Sequence, residues 1–443
     1  MHIVIIGNGI SGITAARHIR KMSDHRITVI SSESEYFFSR TALMYVYMGH
    51  MKFEHTKPYE DWFWKKNRIE LVKDLVDSID IDSSTLLLNS GARMSFEKLI
   101  IGTGSISNKP DYPGKNVTGV QGLYSKQDLE NMELQTKNIE RAVIVGGGLI
   151  GIEMAEMLHS RNIPVTFLVR EENFWDPVLP EQEARLIGNH IIEHGIDLRL
   201  KTSLQQIIPD KNGRVKAVIT DKGESIDCGF VGLTVGVSPN IEFLLNSGIE
   251  YKRGVIVNEF LETNIPAIYA IGDCAEFINP LPGRKPVEQV WYTGRIMGET
   301  VAKTICGKRS PYSPGIWFNS AKFFDIEYLT YGGVSPRLKE DEETFYWELP
   351  NRRILLRLNY KNLSHTLIGV NSFGIRLRHE CFARWLEEKK TVEFVLEHLH
   401  EANFDPEFFR QYEEQILRKF NDEKGTQLRC LGRRGLLHRV FAS

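Results

Sequence analysis

The feature that most restricts the fold of this chain is a glycine-rich loop that occurs twice, each time directly after an apolar run. Residues 2–12 read HIVIIGNGISG, and residues 141–151 read RAVIVGGGLIG. Each copy continues into a helix-like stretch, at 13–22 and at 150–160, and then into a second apolar run. A parallel pair of strands needs a crossover connection of this kind, so each copy predicts a unit of strand, loop, helix and strand.

The spacing of the glycines indicates what the two loops do. In the pattern Gly-x-Gly-x-x-Gly, the first glycine allows a tight turn, the second lets the backbone approach a pyrophosphate, and the third lets the helix pack on the strand. The phosphate charge then meets unpaired N–H groups at the helix N-terminus. One copy alone would be a weak signal, but both stand in the required context between a strand and a helix. We therefore predict two dinucleotide-binding loops.

Three further stretches carry an apolar run into small or polar residues. They read LIIGTGS at 99–105, GLTVGVSPN at 232–240 and TNIPAIYAIGDC at 263–274. The last of them places Gly272 and Asp273 directly after a predicted strand. An aspartate at the end of a strand can accept hydrogen bonds from sugar-like hydroxyls, although such a pair on its own is more often a plain turn.

Taken in sequence order, these five motifs resemble those of the pyridine nucleotide–disulfide oxidoreductase superfamily, flavoproteins with two dinucleotide-binding domains. The resemblance covers residues 1–310 strongly and 311–400 more weakly. In motif the chain is nearest to nitrite-reductase flavin domains and to ferredoxin-reductase-like and NADH-oxidase-like members that lack the redox-active cysteine. The resemblance implies that the first loop binds FAD and that the second binds NADH or NADPH.

The fold that the resemblance implies is α/β, with two Rossmann-like domains for FAD and NAD(P) and a C-terminal α+β domain. The NAD(P) domain is expected as an insertion in the FAD domain, and the C-terminal domain commonly forms a homodimer. Helical patterns at 375–389 and 391–400 support helices in this last domain. The expected boundaries are 1–116 and 237–310 for the FAD-binding domain, 117–236 for the NAD(P)-binding domain, 311–400 for the C-terminal domain, and 401–443 for a helical, basic extension.

The residues expected to contact FAD come from the motifs and from the segments between them. Glu33 stands where the family places an acid for the adenosine ribose, although the strict position falls on Ser31 or Ser32. In relatives, the helix that begins near 288–290 points its positive end at the flavin and stabilises the reduced, anionic form. The full set implied by the resemblance is Gly7, Gly9, Gly12, Glu33, Arg40, Val76, Thr103, Gly104, Asp273, Gln289 and Val290.

The residues expected to contact NADH or NADPH are Gly146, Gly148, Gly151, Glu153, Arg170 and Gly236. Relatives often place a glutamate at the position of Glu153, near the nicotinamide, and a helix-surface carboxylate is an equal alternative. An acid at the end of the next strand suits the ribose 2′-hydroxyl of NADH, whereas an arginine suits the 2′-phosphate of NADPH. This chain has Val169 there, followed by Arg170, which favours NADPH, and by Glu171, which could serve NADH.

A mechanism through thiols is not expected. Disulfide reductases of the superfamily carry a cysteine pair, or a single cysteine, soon after the first unit. Here residues 36–49 read YFFSRTALMYVYMG, and the single-cysteine position falls near Ala42. The histidine–proline pair that serves those enzymes near the C-terminus is also missing, since 404–408 reads FDPEF. We therefore expect hydride to pass directly from NAD(P)H to the flavin, with no catalytic side chain, because the cofactors carry the hard chemistry.

Charge, apolar runs and cysteine spacing limit the classes of partner that the chain is expected to bind. The formal net charge of −2 gives no general attraction to nucleic acid, and no apolar run approaches the ~20 residues of a membrane helix. The five cysteines form no CxxC pair, so we expect no metal and a reduced, cytoplasmic protein. From Lys424 onward the chain has five Lys or Arg and no acid. This region is either a solvated tail or a docking element for an acidic partner or a membrane surface.

Three functions stay open from the sequence. The first is an FAD-dependent NAD(P)H oxidoreductase that passes electrons to an acidic carrier protein or a small molecule. The second is an NAD(P)H oxidase or a quinone reductase. Quinone reduction is disfavoured because the helix EQVWYTGRIMGE keeps one glutamine where type II NADH dehydrogenases have several. The third is a non-catalytic flavoprotein subunit of a larger complex, which the long region beyond residue 400 favours.

Overall fold

The computed structural model describes residues 1–349 and 353–431. It divides the chain into two compact units, the first formed by Met1–Glu172 with Ile191–Pro314 and the second by Asn173–His190 with the chain from Gly315 onward. The first unit contains both glycine loops. The domain boundaries expected from the sequence stay predictions, because a division into two units does not separate an FAD-binding domain from an NAD(P)-binding domain.

The described residues form strands and helices in both units. The strands of the first unit are β1 His2–Ile6, β2 Arg26–Ile30, β3 Ile69–Val72, β4 Val76–Asp80, β5 Thr85–Leu88, β6 Arg93–Ser95, β7 Lys98–Ile101, β8 Ser105–Ser107, β9 Val120–Gln121, β10 Ala142–Val145, β11 Val165–Val169, β12 Asp197–Leu200, β13 Leu204–Pro209, β14 Val215–Thr220, β15 Ser225–Asp227, β16 Phe230–Leu233, β17 Val237–Pro239, β18 Val255–Val257, β19 Ile268–Ala270 and β20 Ala275–Phe277. The strands of the second unit are β21 Phe318–Phe323, β22 Ile326–Gly332, β23 Glu342–Leu349, β24 Ile354–Lys361 and β25 Leu367–Phe373. The helices are α1 Ile10–Met22, α2 Leu43–Tyr47, α3 Trp62–Lys66, α4 Lys126–Gln135, α5 Leu149–Ser160, α6 Glu181–Glu193, α7 Trp291–Ile305, α8 His379–Glu387, α9 Val392–Glu397 and α10 Glu413–Lys424.

The first glycine loop joins β1 to α1 in a five-stranded sheet of order β19-β7-β1-β2-β3, in which all neighbours are parallel. The apolar residues of β1 are buried, as expected for a parallel sheet that is covered on both faces. Strand β1 has β2 on one side and β7 on the other. The order of strands therefore reverses beside β1, and the crevice at such a point is where open α/β sheets bind ligands.

Helix α1 packs closely against α7. A Cβ atom at Gly298 of α7 would lie 2.5 Å from the backbone oxygen of Ser11 in α1, so only glycine fits there. This packing fixes the start of α1, and with it the first glycine loop, against the helix that follows Asp273.

The second glycine loop joins β10 to α5 in another five-stranded sheet, of order β12-β11-β10-β16-β9. Strand β10 pairs in parallel with β11 and β16, as β1 pairs with β2 and β7. Every residue of β10 and β11 is buried. The first unit thus contains the same strand–loop–helix–strand arrangement twice, as the sequence predicts.

The second unit is built on an antiparallel sheet of order β21-β22-β25-β24-β23. Aromatic side chains such as Phe382, Trp385 and Phe420 from α8 and α10 belong to its core. On β24, Arg357 donates hydrogen bonds to both carboxylate oxygens of Glu183, at 2.5 and 2.8 Å, in a buried ion pair. Buried charges need such a partner, so this pair ties residues 173–190 to the C-terminal sheet.

The structure confirms the α/β fold class and places two helix starts differently from the sequence pattern. Helix α1 begins at Ile10 rather than at residue 13, because Gly9 already accepts a hydrogen bond from the backbone N–H of Ile13. The helical pattern from residue 375 becomes a helix only at His379, because Arg378 is extended and its N–H donates to the oxygen of Ala402. Among the helices of the described residues, none combines the length and the apolar character that a membrane crossing requires.

Candidate functional site

A cavity of about 1090 Å³ lies in the first unit at the carboxyl ends of β1, β2 and β7. Its volume is slightly above the usual range for ligand pockets, about 300–1,000 Å³. Gly12, Gln289 and Val290 do not line it. The other residues that the sequence assigns to FAD are all in its wall: Gly7, Gly9, Glu33, Arg40, Val76, Thr103, Gly104 and Asp273.

The three glycines of the first loop stand in three different surroundings. Gly7 has a φ of +106°, and a Cβ atom there would lie 2.1 Å from the backbone oxygen of Gly102. At Gly12 a Cβ atom would lie 2.0 Å from the oxygen of Gly7, so the helix could not pack against the turn. At Gly9 a Cβ atom would meet nothing within 4 Å. Packing therefore does not require glycine at position 9, which fits a backbone that a phosphate group must approach.

The second loop repeats this arrangement. Gly146 has a φ of +114°, and its Cβ atom would lie 2.6 Å from the backbone oxygen of Thr234. At Gly151 a Cβ atom would lie 2.3 Å from the oxygen of Gly146, and at Gly148 it would meet nothing within 4 Å. The middle glycine is again the one that the packing of the chain does not require. None of the second loop's residues lines the cavity at the first loop.

Glu33 and Arg40 form an ion pair on the cavity wall. The guanidinium donates from Nη1 to Oε1 at 2.7 Å and from Nη2 to Oε2 at 2.6 Å. The backbone N–H of Lys126 also donates to Glu33 Oε1, at 2.9 Å. Each carboxylate oxygen can accept two hydrogen bonds, so Glu33 keeps acceptor capacity for a ribose hydroxyl.

Asp273 follows β19 at the cavity wall and is held from one side. Its Oδ2 accepts hydrogen bonds from Ser105 Oγ at 3.1 Å and from the Tyr124 hydroxyl at 3.2 Å. In the described part of the chain, no hydrogen bond joins Oδ1 to the protein. Burial raises the pKa of Asp273, against the two hydrogen bonds and the charge of Arg40, which lower it. The carboxylate therefore has one oxygen fixed and one available to a ligand.

Gln289 and Val290 stand beside the cavity wall. Gln289 donates from Nε2 to Ser105 Oγ at 2.9 Å, and that same hydroxyl donates to Asp273. Val290 is extended and immediately precedes α7. Neither residue lines the cavity: Gln289 contacts the lining residue Ser105, and Val290 precedes the start of α7.

Thr103 and Gly104 follow β7 and line the cavity. Thr103 donates from Oγ1 to the backbone oxygen of Asn240 at 2.7 Å, and the Asn240 N–H donates back to the oxygen of Gly104 at 2.9 Å. Gly104 has a φ of +70°. Gly236 does not line the cavity; it has a φ of +92° and its backbone oxygen accepts from the N–H of Asn108, a lining residue, at 3.0 Å.

Glu153 lies on α5, just after the second glycine loop. Burial raises its pKa from the ordinary value of 4.5 to about 7, and the charge of Glu156, one helical turn away, acts in the same direction. Glu156 is itself buried. A carboxyl group whose pKa lies near neutrality is typical of functional sites, although structural groups also show such shifts.

Arg170 contacts the residue next to it. Its Nε donates to Glu171 Oε1 at 2.8 Å, with the arginine side chain 80% exposed and the glutamate 23% exposed. Val169, where an NADH-binding site would carry an acid, is fully buried. Exposed ion pairs are held weakly, so the contact with Glu171 restricts the guanidinium little.

The cysteines offer no reactive thiolate beside the cavity. Cys274, the neighbour of Asp273, is fully buried, and its thiol donates to the backbone oxygen of Ile271. Burial raises the pKa of Cys274 and raises that of Cys228 to about 12. Ala42 ends a short 3-10 turn that begins at Arg40. Both buried thiols are protonated near neutral pH, and the reactive form of cysteine is the thiolate.

Sequence reasoning missed Asn8, Ser105 and Tyr124, which all line the cavity. Asn8 donates from Nδ2 to the backbone oxygen of Ser34 at 2.8 Å. Ser105 is the last residue of the LIIGTGS stretch, so its position after Gly104 was an available signal. Tyr124 carries no such signal, because its partner Asp273 lies 149 positions away in the chain.

The basic C-terminal region is only partly described. Lys424 ends α10, and its ammonium group donates to Glu343 at 2.8 Å, so this charge has a structural partner. Arg429 is exposed. The other basic residues, Arg433, Arg434 and Arg439, lie outside the described residues.

Comparison with known proteins identifies the family to which the chain is similar. The family described as pyridine nucleotide-disulphide oxidoreductase matches residues 1–298. Nitrite reductase (NAD(P)H) of Bacillus subtilis is 27% identical over 387 residues, which are 85% of this chain and 46% of that protein. NADH-rubredoxin oxidoreductase of Clostridium acetobutylicum is 28% identical over 378 residues, which are 85% of this chain and 93% of that protein.

A solved structure shows the same fold. The NAD-dependent persulfide reductase of A. fulgidus superposes with a TM-score of 0.83 at 23% identity, over 96% of this chain and 84% of that one.

The chain spans about half the length of the nitrite reductase that it matches. The family match covers both glycine loops and Asp273, and it confirms the resemblance seen in the motifs. The chain belongs to the pyridine nucleotide-disulphide oxidoreductase family.

Proposed function

We propose that the chain is an FAD-dependent NAD(P)H oxidoreductase that delivers electrons to an acceptor without a redox-active disulfide. The observation that carries the proposal is the cavity at the first loop, which combines the open backbone at Gly9 with the carboxylates of Glu33 and Asp273. The family consists of FAD- and NAD(P)H-dependent oxidoreductases, which supports the same two cofactors here.

The residues of the cavity fit FAD. The backbone around Gly9 and the N-terminus of α1 suit the pyrophosphate, because unpaired N–H groups and the helix dipole favour an anion. A dinucleotide carries hydroxyl groups on both sides of its pyrophosphate. Of the carboxylates in the cavity wall, we assign Glu33 to the adenosine ribose and Asp273 to the ribityl chain.

The second loop holds NADH or NADPH in this proposal, with Gly148 as the point of close approach. FAD, when bound, supplies the hydride and electron chemistry, so the chain's own residues have to bind and orient. Glu153 is a positioning group near the nicotinamide. Its pKa of about 7 means that its charge changes near neutral pH. Gly236 and Arg170 complete the proposed contacts, with Arg170 directed to a 2′-phosphate.

The acceptor in this proposal is a small electron-carrier protein. The relative named for rubredoxin is matched over 93% of its length, which supports such an acceptor. The basic residues after Lys424 suit an acidic carrier, because complementary charge speeds and orients docking. A small-molecule acceptor, including dioxygen, is the alternative outcome.

A second candidate function is the flavoprotein part of a larger assembly. It is favoured by the nitrite reductase match, in which this chain corresponds to 46% of the longer protein. A homodimer and a cytoplasmic location are further predictions, and sedimentation of the purified protein tests the first of them.

The test of the proposed function is reduction of the purified protein. We expect the protein to take up FAD, to be yellow, and to be bleached anaerobically by NADH or NADPH. Re-oxidation by rubredoxin or ferredoxin, compared with re-oxidation by air alone, separates a reductase from an oxidase. A protein that binds no FAD contradicts the proposal, and a bound flavin that neither nucleotide reduces favours the non-catalytic subunit.

A further inference from the structure

Tyr124, in the cavity wall, contacts both the Asp273 carboxylate and the Arg40 guanidinium that binds Glu33. The Tyr124 hydroxyl donates to Asp273 Oδ2 at 3.2 Å and accepts from the backbone N–H of Ser105 at 3.1 Å. At its other end, the Tyr124 backbone oxygen accepts from Arg40 Nη1 at 2.6 Å. The Arg40 guanidinium also lies over the Tyr124 ring, 4.5 Å from its centre.

Tyr124 is itself fixed in place. Its backbone N–H donates to Asp128 Oδ2 at 2.9 Å, and the same carboxylate oxygen accepts from the N–H of Ser125 at the start of α4. A Cβ atom at Gly104 would lie 3.0 Å from the Tyr124 hydroxyl, so the glycine makes room for it. The backbone of Tyr124 is therefore anchored at the start of α4, while its hydroxyl is fixed by Ser105 and Asp273.

The consequence is a continuous series of contacts between Glu33 and Asp273 along the cavity wall. Glu33 is bound by Arg40, Arg40 by Tyr124, and Tyr124 by Asp273. Of the two hydroxyls that hold Asp273, that of Ser105 is shared with Gln289, and that of Tyr124 comes from a rigid ring. An aromatic ring with two χ angles orders a carboxylate at little entropic cost.

We propose that Tyr124 is a positioning residue of the FAD site, which holds the Asp273 carboxylate through its hydroxyl and the Arg40 guanidinium through its ring and backbone oxygen. This inference rests on the proposed function, because it assigns a ligand to the same cavity. Tyr124 orients Asp273 so that Oδ1 faces the ligand's hydroxyls with its charge stabilised. It holds Arg40 in the geometry that binds Glu33.

The test is a double-mutant cycle on FAD binding to the full chain. The apoproteins of wild type, Tyr124→Phe, Asp273→Asn and the double variant are titrated with FAD, and dissociation constants are compared. A hydroxyl that acts through a charged carboxylate predicts about tenfold weaker binding for Tyr124→Phe. It also predicts that the hydroxyl no longer matters once Asp273 is Asn, so the double variant binds no more weakly than Asp273→Asn.

The pH profile of FAD binding adds a readout that a purely structural role would not move. Tyr124 and Arg40 are the titratable groups that act on Asp273, and the tyrosine donates to its charged form. Removing the hydroxyl raises the pKa of Asp273, so the loss of affinity on acidification occurs at higher pH in Tyr124→Phe than in wild type. The matched control is Tyr346→Phe, which also removes a tyrosine–carboxylate bond, to Glu348, but outside the cavity wall.

The outcomes separate this inference from the proposed function. If wild type binds no FAD, both are overturned. If wild type binds FAD but Tyr124→Phe binds equally well, or if the two substitutions are additive, the Tyr124 hydroxyl does not position Asp273 and the inference is overturned, whereas the proposed function stands. The unfolding midpoint of apo Tyr124→Phe, measured alongside, shows that the variant is folded.

Discussion

Arg40 donates two parallel hydrogen bonds to the Glu33 carboxylate, of 2.7 and 2.6 Å, on the wall of the cavity. Lysine cannot reproduce this geometry, because its ammonium is a point charge without the planar fork of arginine. We predict that Arg40→Lys weakens FAD binding about tenfold and lowers the free energy of unfolding by about 1–2 kcal/mol.

The matched control for this prediction is Arg26→Lys. Arg26 also pairs with a glutamate, Glu70 at 3.0 Å, but the two side chains are 64% and 47% exposed. We expect this variant to change unfolding by less than about 0.5 kcal/mol and to leave FAD binding unchanged. Equal effects of the two substitutions would show that the Glu33–Arg40 pair has no special role. Urea unfolding and FAD titration of both variants are the measurements.

The raised pKa of Glu153 leads us to predict a specific pH dependence of the free energy of unfolding. Its pKa is about 7 in the folded chain and 4.5 ordinarily, so between these values the unfolded state loses the proton while the folded state keeps it. Stability contributed at this site therefore falls as pH rises from about 4.5 to 7 and is constant on either side. A shift of this size corresponds to at most about 3 kcal/mol.

The variant that tests this is Glu153→Gln, which cannot ionise. We expect it to be more stable than wild type at pH 8, by about 1–3 kcal/mol, and to lose that advantage at pH 4. Glu156→Gln should recover part of the same gain at pH 8, because Glu156 is the second cause of the shift. An identical difference between Glu153→Gln and wild type at both pH values would refute the raised pKa.

We expect Arg170 to determine whether the chain prefers NADPH or NADH. Its pairing with Glu171 is exposed, so the guanidinium can exchange this partner for a 2′-phosphate at small cost. We predict that Arg170→Ala raises KM for NADPH about tenfold and leaves KM for NADH nearly unchanged. The control is Glu171→Gln, which releases Arg170 and should favour NADPH. A preference of wild type for NADH, with equal effects of Arg170→Ala on both cofactors, would assign the ribose to Glu171 instead.

The parts of the fold that repeat locally could be predicted from the sequence. Strand, glycine loop and helix follow one another within a few residues, so periodicity and glycine spacing suffice for β1 with α1 and for β10 with α5. The grouping of residues 173–190 with the C-terminal sheet could not be predicted. Contacts such as the buried pair of Glu183 and Arg357 join these segments, and residues 174 positions apart carry no local pattern.

In the candidate site, too, some residues could be predicted from local motifs and others could not. The glycines, Glu33 and Asp273 lie at strand ends, where a motif marks them. Tyr124 lies in a segment without a motif, and its role depends on contacts with Asp273 and Arg40, which lie 149 and 84 positions away in the chain. The resemblance places Gln289 at the flavin from the start of its helix, whereas in the structure Gln289 does not line the cavity and donates to Ser105, which does.

The central claim is that the two glycine loops bind two different molecules, and the FAD dissociation constants of Gly9→Ala and Gly148→Ala test it most directly. At both positions a methyl group meets no protein atom within 4 Å, so both variants should fold, and they differ only in which loop they obstruct. We predict that Gly9→Ala weakens FAD binding tenfold or more, whereas Gly148→Ala binds FAD as wild type does but shows a raised KM for NAD(P)H. Equal FAD affinities for the two variants, or weaker binding in Gly148→Ala alone, would contradict the assignment of FAD to the first loop.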